Sequence, residues 1–396
     1  MSINQIIYCK KCVISNQRPS SVVEFTDDSI RDKETIFFDE NGICHACRYA
    51  DIKNNVIDWE EREKELIQLC DKYRSRNGSY DCVIPGSGGK DSAFIAHILK
   101  YKYNMNPLTV TWAPHQYTDI GWQNFQKWIE IGGFDNILIN PNGKVHRLLT
   151  KLAFINLCHP FQPFIIGQKL VGPRIALQNG IPLIFYGENQ AEYGNNIQDN
   201  EKPIMDKKFY IGEKDYDKLI LSGVKASKLI KEYNIQKSDL NLYMPIESKE
   251  IRNLNLNMYY LGYYLKWDPQ EMFYYASDNT GFTANDERTD GSYSKYSGID
   301  DKMDTLHYFT YLIKFGLGRA SQDASQEIRT NKITREEGVA LVNKYDQEIP
   351  KRYFLDILNY LDIDEDKFWQ VIDENRPELI WKRENNEWLL RHPVSN

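Results

Sequence analysis

The residues best equipped for chemistry stand in a row: Ser87, Gly88, Gly89, Lys90, Asp91 and Ser92. Glycines let backbone N–H groups turn toward an anion, and a helix opening directly after them adds the partial positive charge of its N-terminus. Lys90 can reach phosphate oxygens, and Asp91 suits a Mg²⁺ ligand or a group that orients a nucleotide. The run is not a Walker A loop. That pattern has a Gly and four spacers before its Gly-Lys pair and a Ser or Thr after it; Ile84 and Asp91 stand at those places. A second constellation is formed by Cys9-Lys10-Lys11-Cys12 and Cys44-His45-Ala46-Cys47. Each C-x-x-C knuckle can aim two thiolates at one ion, and four sulfurs suit tetrahedral Zn²⁺ in a closed, structural site. The gap between the pairs exceeds the usual ribbon spacing, and an Fe–S cluster is the alternative. His45 reads as a bystander. Of the other cysteines, Cys82 reads as strand core, Cys70 lies on a charged helix, and Cys158 before His159-Pro160 is a candidate reactive thiol.

The elements that must position these groups show in the apolar pattern. A strand over 81–84 runs into the glycine loop, and the helix after it carries Phe94, Ile95, Ile98 and Leu99. Further strands are expected over 107–112, 136–139 and 181–187, with Pro182 at the start of the last. Helices are expected over 119–131, 145–157 and 165–178. Such alternation argues for a parallel, doubly wound α/β sheet with sites at the strand C-termini. The fourth strand leads into Glu188, Asn189, Glu192 and Tyr193, which are therefore substrate candidates. Beyond Gly194 helical segments dominate, with 242–246 as a strand, aromatics clustered over 258–265, and a terminal hairpin turning at Glu384-Asn385-Asn386. Four units follow: a zinc-binding module over 1–57, a connecting helix over 58–77 with Asp58 as N-cap, an α/β domain over 78–250, and a mainly helical region over 251–396.

With 41% apolar and 27% charged residues among 396, the chain reads as globular rather than disordered. A net charge of −7 gives no hint of a basic face, which weighs against a nucleic-acid partner, and none is expected. No run approaches the ~18 apolar residues of a membrane span, and the first residues lack the character of a signal peptide. Seven cysteines, four of them in close pairs, favour a metal site in a reducing compartment, which makes the cytoplasm the expected location.

Two resemblances sharpen this reading. The loop over 87–92 resembles the PP-loop, SGGxDS, of the ATP-pyrophosphatase superfamily, with its adenine nucleotide alpha hydrolase-like fold. The resemblance implies ATP cleavage between the α and β phosphates, with Ser87, Gly88, Gly89, Lys90, Asp91 and Ser92 binding ATP and Mg²⁺. In such a fold the second strand borders the adenine, which makes Thr109, Val110, Thr111 and Trp112 candidates either for that pocket or for sheet core. The C-terminal half, over 314–329 and 333–338 together with 260–264, 267–271, 293–296 and 300–302, is similar to the N-acetyl sugar amidotransferase family of bacterial surface-polysaccharide and flagellin-sugar biosynthesis. That similarity implies conversion of a sugar acetamido group to an acetamidino group through an O-adenylated imidate. It leaves open whether the sugar is nucleotide-linked. It also implies Arg319, or one of Arg329, Lys332 and Arg335, closing over the phosphates, and ammonia from a separate glutaminase subunit with a cyclase-like companion. No N-terminal Cys follows Met1 and no G-x-C-x-G elbow is present, so the chain carries no expected glutaminase of its own. Gly86 stands where the pattern has Val, a departure expected to leave the phosphate contacts unaffected. Knuckles with a PP-loop also occur in tRNA thiolation enzymes, the alternative; those usually add a catalytic cysteine pair, and only Cys158 follows the loop.

Overall fold

Residues 5–20, 22–25, 35–195 and 202–395 are described by a computed structural model of the chain. Helix α1 (His45–Asn55) closes the N-terminal module and α2 (Trp59–Tyr73) follows it, with the Asp58 side chain accepting from the Glu60 and Glu61 N–H groups at its start. The chain then alternates β1 (Cys82–Pro85), α3 (Lys90–Tyr101), β2 (Pro107–Trp112), α4 (Asp119–Glu130), β3 (Asp135–Ile139), α5 (Gly143–Leu157), α6 (Gln162–Asn179) and β4 (Leu183–Tyr186). After a two-residue ribbon, β5 (Ile220–Leu221) and β6 (Val224–Lys225), and helices α7 (Ala226–Glu232) and α8 (Ser248–Leu254), strand β7 (Asn257–Tyr260) completes the sheet. Its order is β3-β2-β1-β4-β7, and every pairing is parallel.

Period-two alternation explains why both faces are covered. Val83, Leu108, Val110 and Trp112 pack with Leu149 of α5 and Ile166 and Leu170 of α6. Cys82 and Ile84 point the other way, into Ile95 and Leu99 of α3, Phe125 and Trp128 of α4 and Leu66 of α2. The reversal of strand order between β1 and β4 opens a crevice at their C-terminal ends, where the glycine loop sits.

The remainder is helical: α9 (Leu261–Tyr264), α10 (Pro269–Thr280), α11 (Asp304–Phe315), α12 (Arg319–Arg329), α13 (Arg335–Tyr345), α14 (Phe354–Leu361) and α15 (Glu365–Glu374). The terminal hairpin forms as expected, β8 (Trp381–Glu384) with β9 (Glu387–Leu390). Asn385 and Asn386 both take positive φ, +48° and +65°, as a type I′ turn requires. Trp381 locks the hairpin down by donating its indole N–H to the Ile313 carbonyl at 2.7 Å.

Three expectations change. The segment 242–246 is no strand: Lys237–Tyr243 is a 3₁₀ helix that buries Leu240 and Tyr243 on one side, and Ile246 makes only a single bridge, to Ile211. Pro182 lies outside β4, where its carbonyl accepts from Asn257. Strand β7 comes from the aromatic cluster assigned to the helical region, so the sheet takes its edge past residue 250. No helix among the described residues is long and apolar enough to cross a membrane.

Candidate active site

Strand β1 ends at Pro85, and the Gly86 N–H continues the ladder by donating to the Val110 carbonyl at 2.9 Å. A side chain at Gly86 would put its Cβ 2.3 Å from the Ser92 Cβ and 3.1 Å from the Trp128 ring. Glycine here is therefore a packing requirement of this loop, not a neutral departure from a pattern. Gly88 has φ of +83°, and a Cβ there would lie 2.7 Å from the Phe125 Cα, so the loop folds flush onto α4. Ser92 pins the turn: its Oγ accepts from the Gly88 N–H at 3.2 Å and donates to the Gly89 carbonyl at 3.0 Å. Gly89, the N-cap of α3, brings no capping side chain, which leaves the first turn of the helix open to an anion. Gly86→Val is expected to cost about 1–3 kcal/mol of stability, seen as a lowered thermal midpoint. A wild-type midpoint would show that the loop opens without cost.

At the head of α3, Lys90 Nζ lies 2.6 Å from Asp91 Oδ2, while Asp91 Oδ1 is buried without a hydrogen-bond partner. An orphaned carboxylate oxygen beside a phosphate-type loop fits a divalent cation ligand. The opposite wall comes from the far end of the chain. Ser87 sits against the Asp300 carboxylate. Asp301 is fixed by four donors: His115 Nδ1 and N–H, each at 2.7 Å, Met303 N–H at 3.0 Å and Gln116 N–H at 3.2 Å. Burial pushes Asp304 up to about 7. Arg319 begins α12, bonded through Nε to the Asp323 carboxylate at 3.1 and 3.2 Å, with its guanidinium 4.4 Å from the Tyr308 ring centre. The start of α12 is held by Asp346, which accepts from the Gly318 and Ser321 N–H groups at 2.8 and 2.9 Å.

Between these walls lie three neighbouring cavities that share lining residues. One cavity of about 220 Å³ is lined by Lys90, Asp91, Glu188, Tyr193 and Arg319, among others. A second, of about 170 Å³, lies between the glycine loop, Asp300 and Arg319. A third, of about 450 Å³, runs from Ser87 and Gly89 past Val110, Trp112 and Glu188 to Asp304. Of the sequence candidates, Ser87, Gly88, Gly89, Lys90, Asp91, Ser92, Glu188, Tyr193 and Arg319 line these three neighbouring cavities.

Others do not. Thr111 is buried on the far side of β2, its hydroxyl accepting from Asn136 at 3.1 Å, and Val110 and Trp112 of that strand face the cavity instead. Glu192 is bound by Lys53 Nζ at 2.8 and 2.9 Å in a buried ion pair. Asn189 is buried, its Oδ1 accepting from the Ala191 N–H at 3.3 Å. Lys332 pairs with Glu271 at 2.8 Å, Arg335 donates to the Ser395 carbonyl, and buried Arg329 donates to the Glu192 carbonyl at 3.0 Å. Cys158 is buried, its thiol pushed up to about 12, so it is no reactive nucleophile. Asp300, Asp301, Asp304 and Tyr308 were missed as site residues. The Asp300-Asp301 pair was the available signal, but nothing in its spacing tied it to a loop over two hundred residues away.

The four knuckle cysteines converge. Their Sγ atoms all lie within 4.8 Å of one another, with Cys9–Cys47 at 3.8 Å and Cys12–Cys44 at 3.7 Å. One tetrahedral ion with Zn–S bonds of ~2.3 Å sets its sulfurs about 3.8 Å apart, so the cluster fits a single ion. A cubane spreads its thiolates wider. The module is wired to the cavity: Lys53 of α1 holds Glu192, and Arg18 lies 5.4 Å from the centre of the Tyr193 ring.

Residues 290–393 match the family described as LPS biosynthesis protein WbpG-like, C-terminal domain. An uncharacterized protein of Methanocaldococcus jannaschii is 31% identical over 78 residues, 20% of this chain and 27% of that protein, so the match spans about a quarter of the relative. Among solved structures, NMN synthetase from Francisella tularensis is 13% identical, with 58% of this chain and 89% of that one covered at a TM-score of 0.26. The U34-tRNA thiolase NcsA from Methanococcus maripaludis, with its [4Fe-4S] cluster, is 10% identical, with coverage of 83% and 88% and a TM-score of 0.32. NAD+ synthetase from Burkholderia pseudomallei is 12% identical, with coverage of 61% and 90% and a TM-score of 0.26. These structural likenesses are too remote to bear on the reaction. Arg319 and Asp323, which face the glycine loop, lie within the stretch that matches the WbpG-like C-terminal domain family.

Proposed function

We propose that the chain is an ATP-dependent, AMP-forming amidotransferase that converts a sugar acetamido group to an acetamidino group in bacterial surface-glycan biosynthesis. The observation that carries this reading is the meeting of Lys90 and Asp91, on the glycine loop, with Arg319 of the WbpG-like region around one cavity. An amide carbonyl is a poor electrophile and its oxygen a poor leaving group. Passing AMP to that oxygen solves both problems. In this reading the glycine-loop N–H groups and Lys90 hold the departing pyrophosphate, Arg319 neutralises charge from the opposite wall, and Val110 and Trp112 border the base. Asp91 would hold Mg²⁺, which supplies Lewis-acid neutralisation of the phosphates. Cys9, Cys12, Cys44 and Cys47 would hold a structural Zn²⁺.

A thiolation reaction is disfavoured by the thiols themselves. Cys70 and Cys158 are buried and pushed up to about 12, and burial likewise raises Cys82. None matches the exposed, low-pKa environment of a catalytic cysteine.

The test is incubation with ATP, Mg²⁺, ammonium and a panel of acetamido sugars, free and nucleotide-linked, followed by mass spectrometry. AMP and pyrophosphate should form in step with an amidine, and ¹⁸O placed in the acetamido group should appear in AMP. ADP as the main product, or label retained in the sugar, would reject the adenylate route. Glutamine should replace ammonium only after a separate glutaminase is added; robust glutamine hydrolysis by this chain alone would reject the two-component arrangement.

A further inference from the structure

We infer that Glu188 is the general base for ammonia addition, taking the proton shed by the attacking nitrogen and then pairing with the amidinium product. The inference rests on the proposed reaction and assigns a step within it.

Glu188 follows β4 at the C-terminal edge of the sheet and lines both the cavity of Lys90 and Arg319 and the larger cavity of Ser87 and Trp112. Among the described residues only Asp91, Tyr193 and Tyr308 share that double position. A group at this junction can reach a substrate whose activated oxygen faces the phosphates while its sugar extends away. The Tyr193 hydroxyl donates to Glu188 Oε1, which orients the carboxylate and leaves Oε2 to work as the base. Asp91 already has Lys90 as its partner, and neither tyrosine is a base near neutral pH. Charge in the lining points the same way. Carboxylates outnumber Lys90, Lys169 and Arg319 around the two cavities, an unexpected balance for a site that takes only anionic nucleotide, but a fitting one where a neutral amide becomes a cation.

The ammonia lone pair forms a C–N bond to the imidate carbon while the C=N π pair moves onto the sugar nitrogen. The new ammonium group gives a proton to Glu188. The nitrogen pair re-forms C=N as the C–O bond breaks, and AMP leaves with the oxygen and that bonding pair. Protonated Glu188 returns its proton to the strongly basic amidine, and carboxylate and amidinium remain as an ion pair. Burial and the Asp91 carboxylate of α3 hold the Glu188 carboxyl above the usual carboxylate range, which favours proton acceptance. The other groups facing it are Lys90 of α3, Lys169 of α6, and Glu192 and Tyr193 of its own loop.

Glu188→Gln separates this role from binding. With a sugar the wild type accepts, sugar-dependent exchange of pyrophosphate into ATP without ammonia should stay within a few-fold. Amidine formation should fall about 10²-fold or more. Should E188Q prove too unstable to assay, Tyr193→Phe should show the same split with a smaller loss. Equal loss of exchange and amidine formation, or no loss of either, would overturn the assignment. Absence of exchange in the wild type would overturn the reaction itself.

Discussion

Cys9→Ser or Cys44→Ser should release the bound metal and unfold the N-terminal module. A structural Zn²⁺ contributes an apparent ~10–16 kcal/mol, as much as the roughly 5–15 kcal/mol that holds a whole domain folded. All four sulfurs are buried, so a serine cannot trade the lost bond for solvent, and three thiols would be left facing one another. The damage should travel. Without the module, Lys53 no longer holds Glu192, and the short loop carrying Glu188 and Tyr193 loses its anchor. Elemental analysis should show one zinc per wild-type chain and none in the variant, with a much lower thermal midpoint and earlier proteolysis near residue 50. Retention of a full equivalent, or an unchanged midpoint, would remove the metal from the folding argument. An iron chromophore would replace Zn²⁺ with a cluster.

Lys90→Ala should lower the AMP-forming rate by about 10²–10³-fold, the usual cost of deleting one preorganised charge at a developing anion. The fold should survive. Lys90 stands at the first position of α3 and is not part of the core, and Ala is the best helix former. A far-UV spectrum and thermal midpoint matching wild type would separate a catalytic loss from a structural one. Asp91→Asn should act differently, raising the Mg²⁺ concentration needed for half-maximal rate, because it neutralises the carboxylate whose Oδ1 has no protein partner. A K90A enzyme of wild-type rate would place the phosphates elsewhere.

Local chemistry made much of the site legible. Glycine, lysine and aspartate between a strand and a helix point to an anion-binding loop because the backbone geometry they permit turns N–H groups toward one space. The knuckles were legible because two residues between cysteines is the spacing that turns both sulfurs inward. Short apolar runs alternating with helical stretches disclosed four strands of the sheet. The fifth, Asn257–Tyr260, was hidden because its buried tyrosines continue straight into a short helix, and periodicity cannot divide four residues of one from four of the other.

Side-chain direction was the harder matter. Thr111 and Trp112 are neighbours in sequence, yet the pleat sends them to opposite faces, and only the packed sheet shows that Trp112 meets the cavity. Glu188 and Glu192 lie four residues apart on one loop, and a lysine from the N-terminal module takes the second while leaving the first at the site. By itself the sequence determined the glycine loop between a strand and a helix, the cysteine set and the doubly wound sheet, because each depends on contacts within a few residues or on a repeating pattern. Only the tertiary structure decided which carboxylates face that loop. Asp300, Asp304 and Arg319 reach it from more than two hundred residues away, and packing of one surface on another, not spacing along the chain, brings them there.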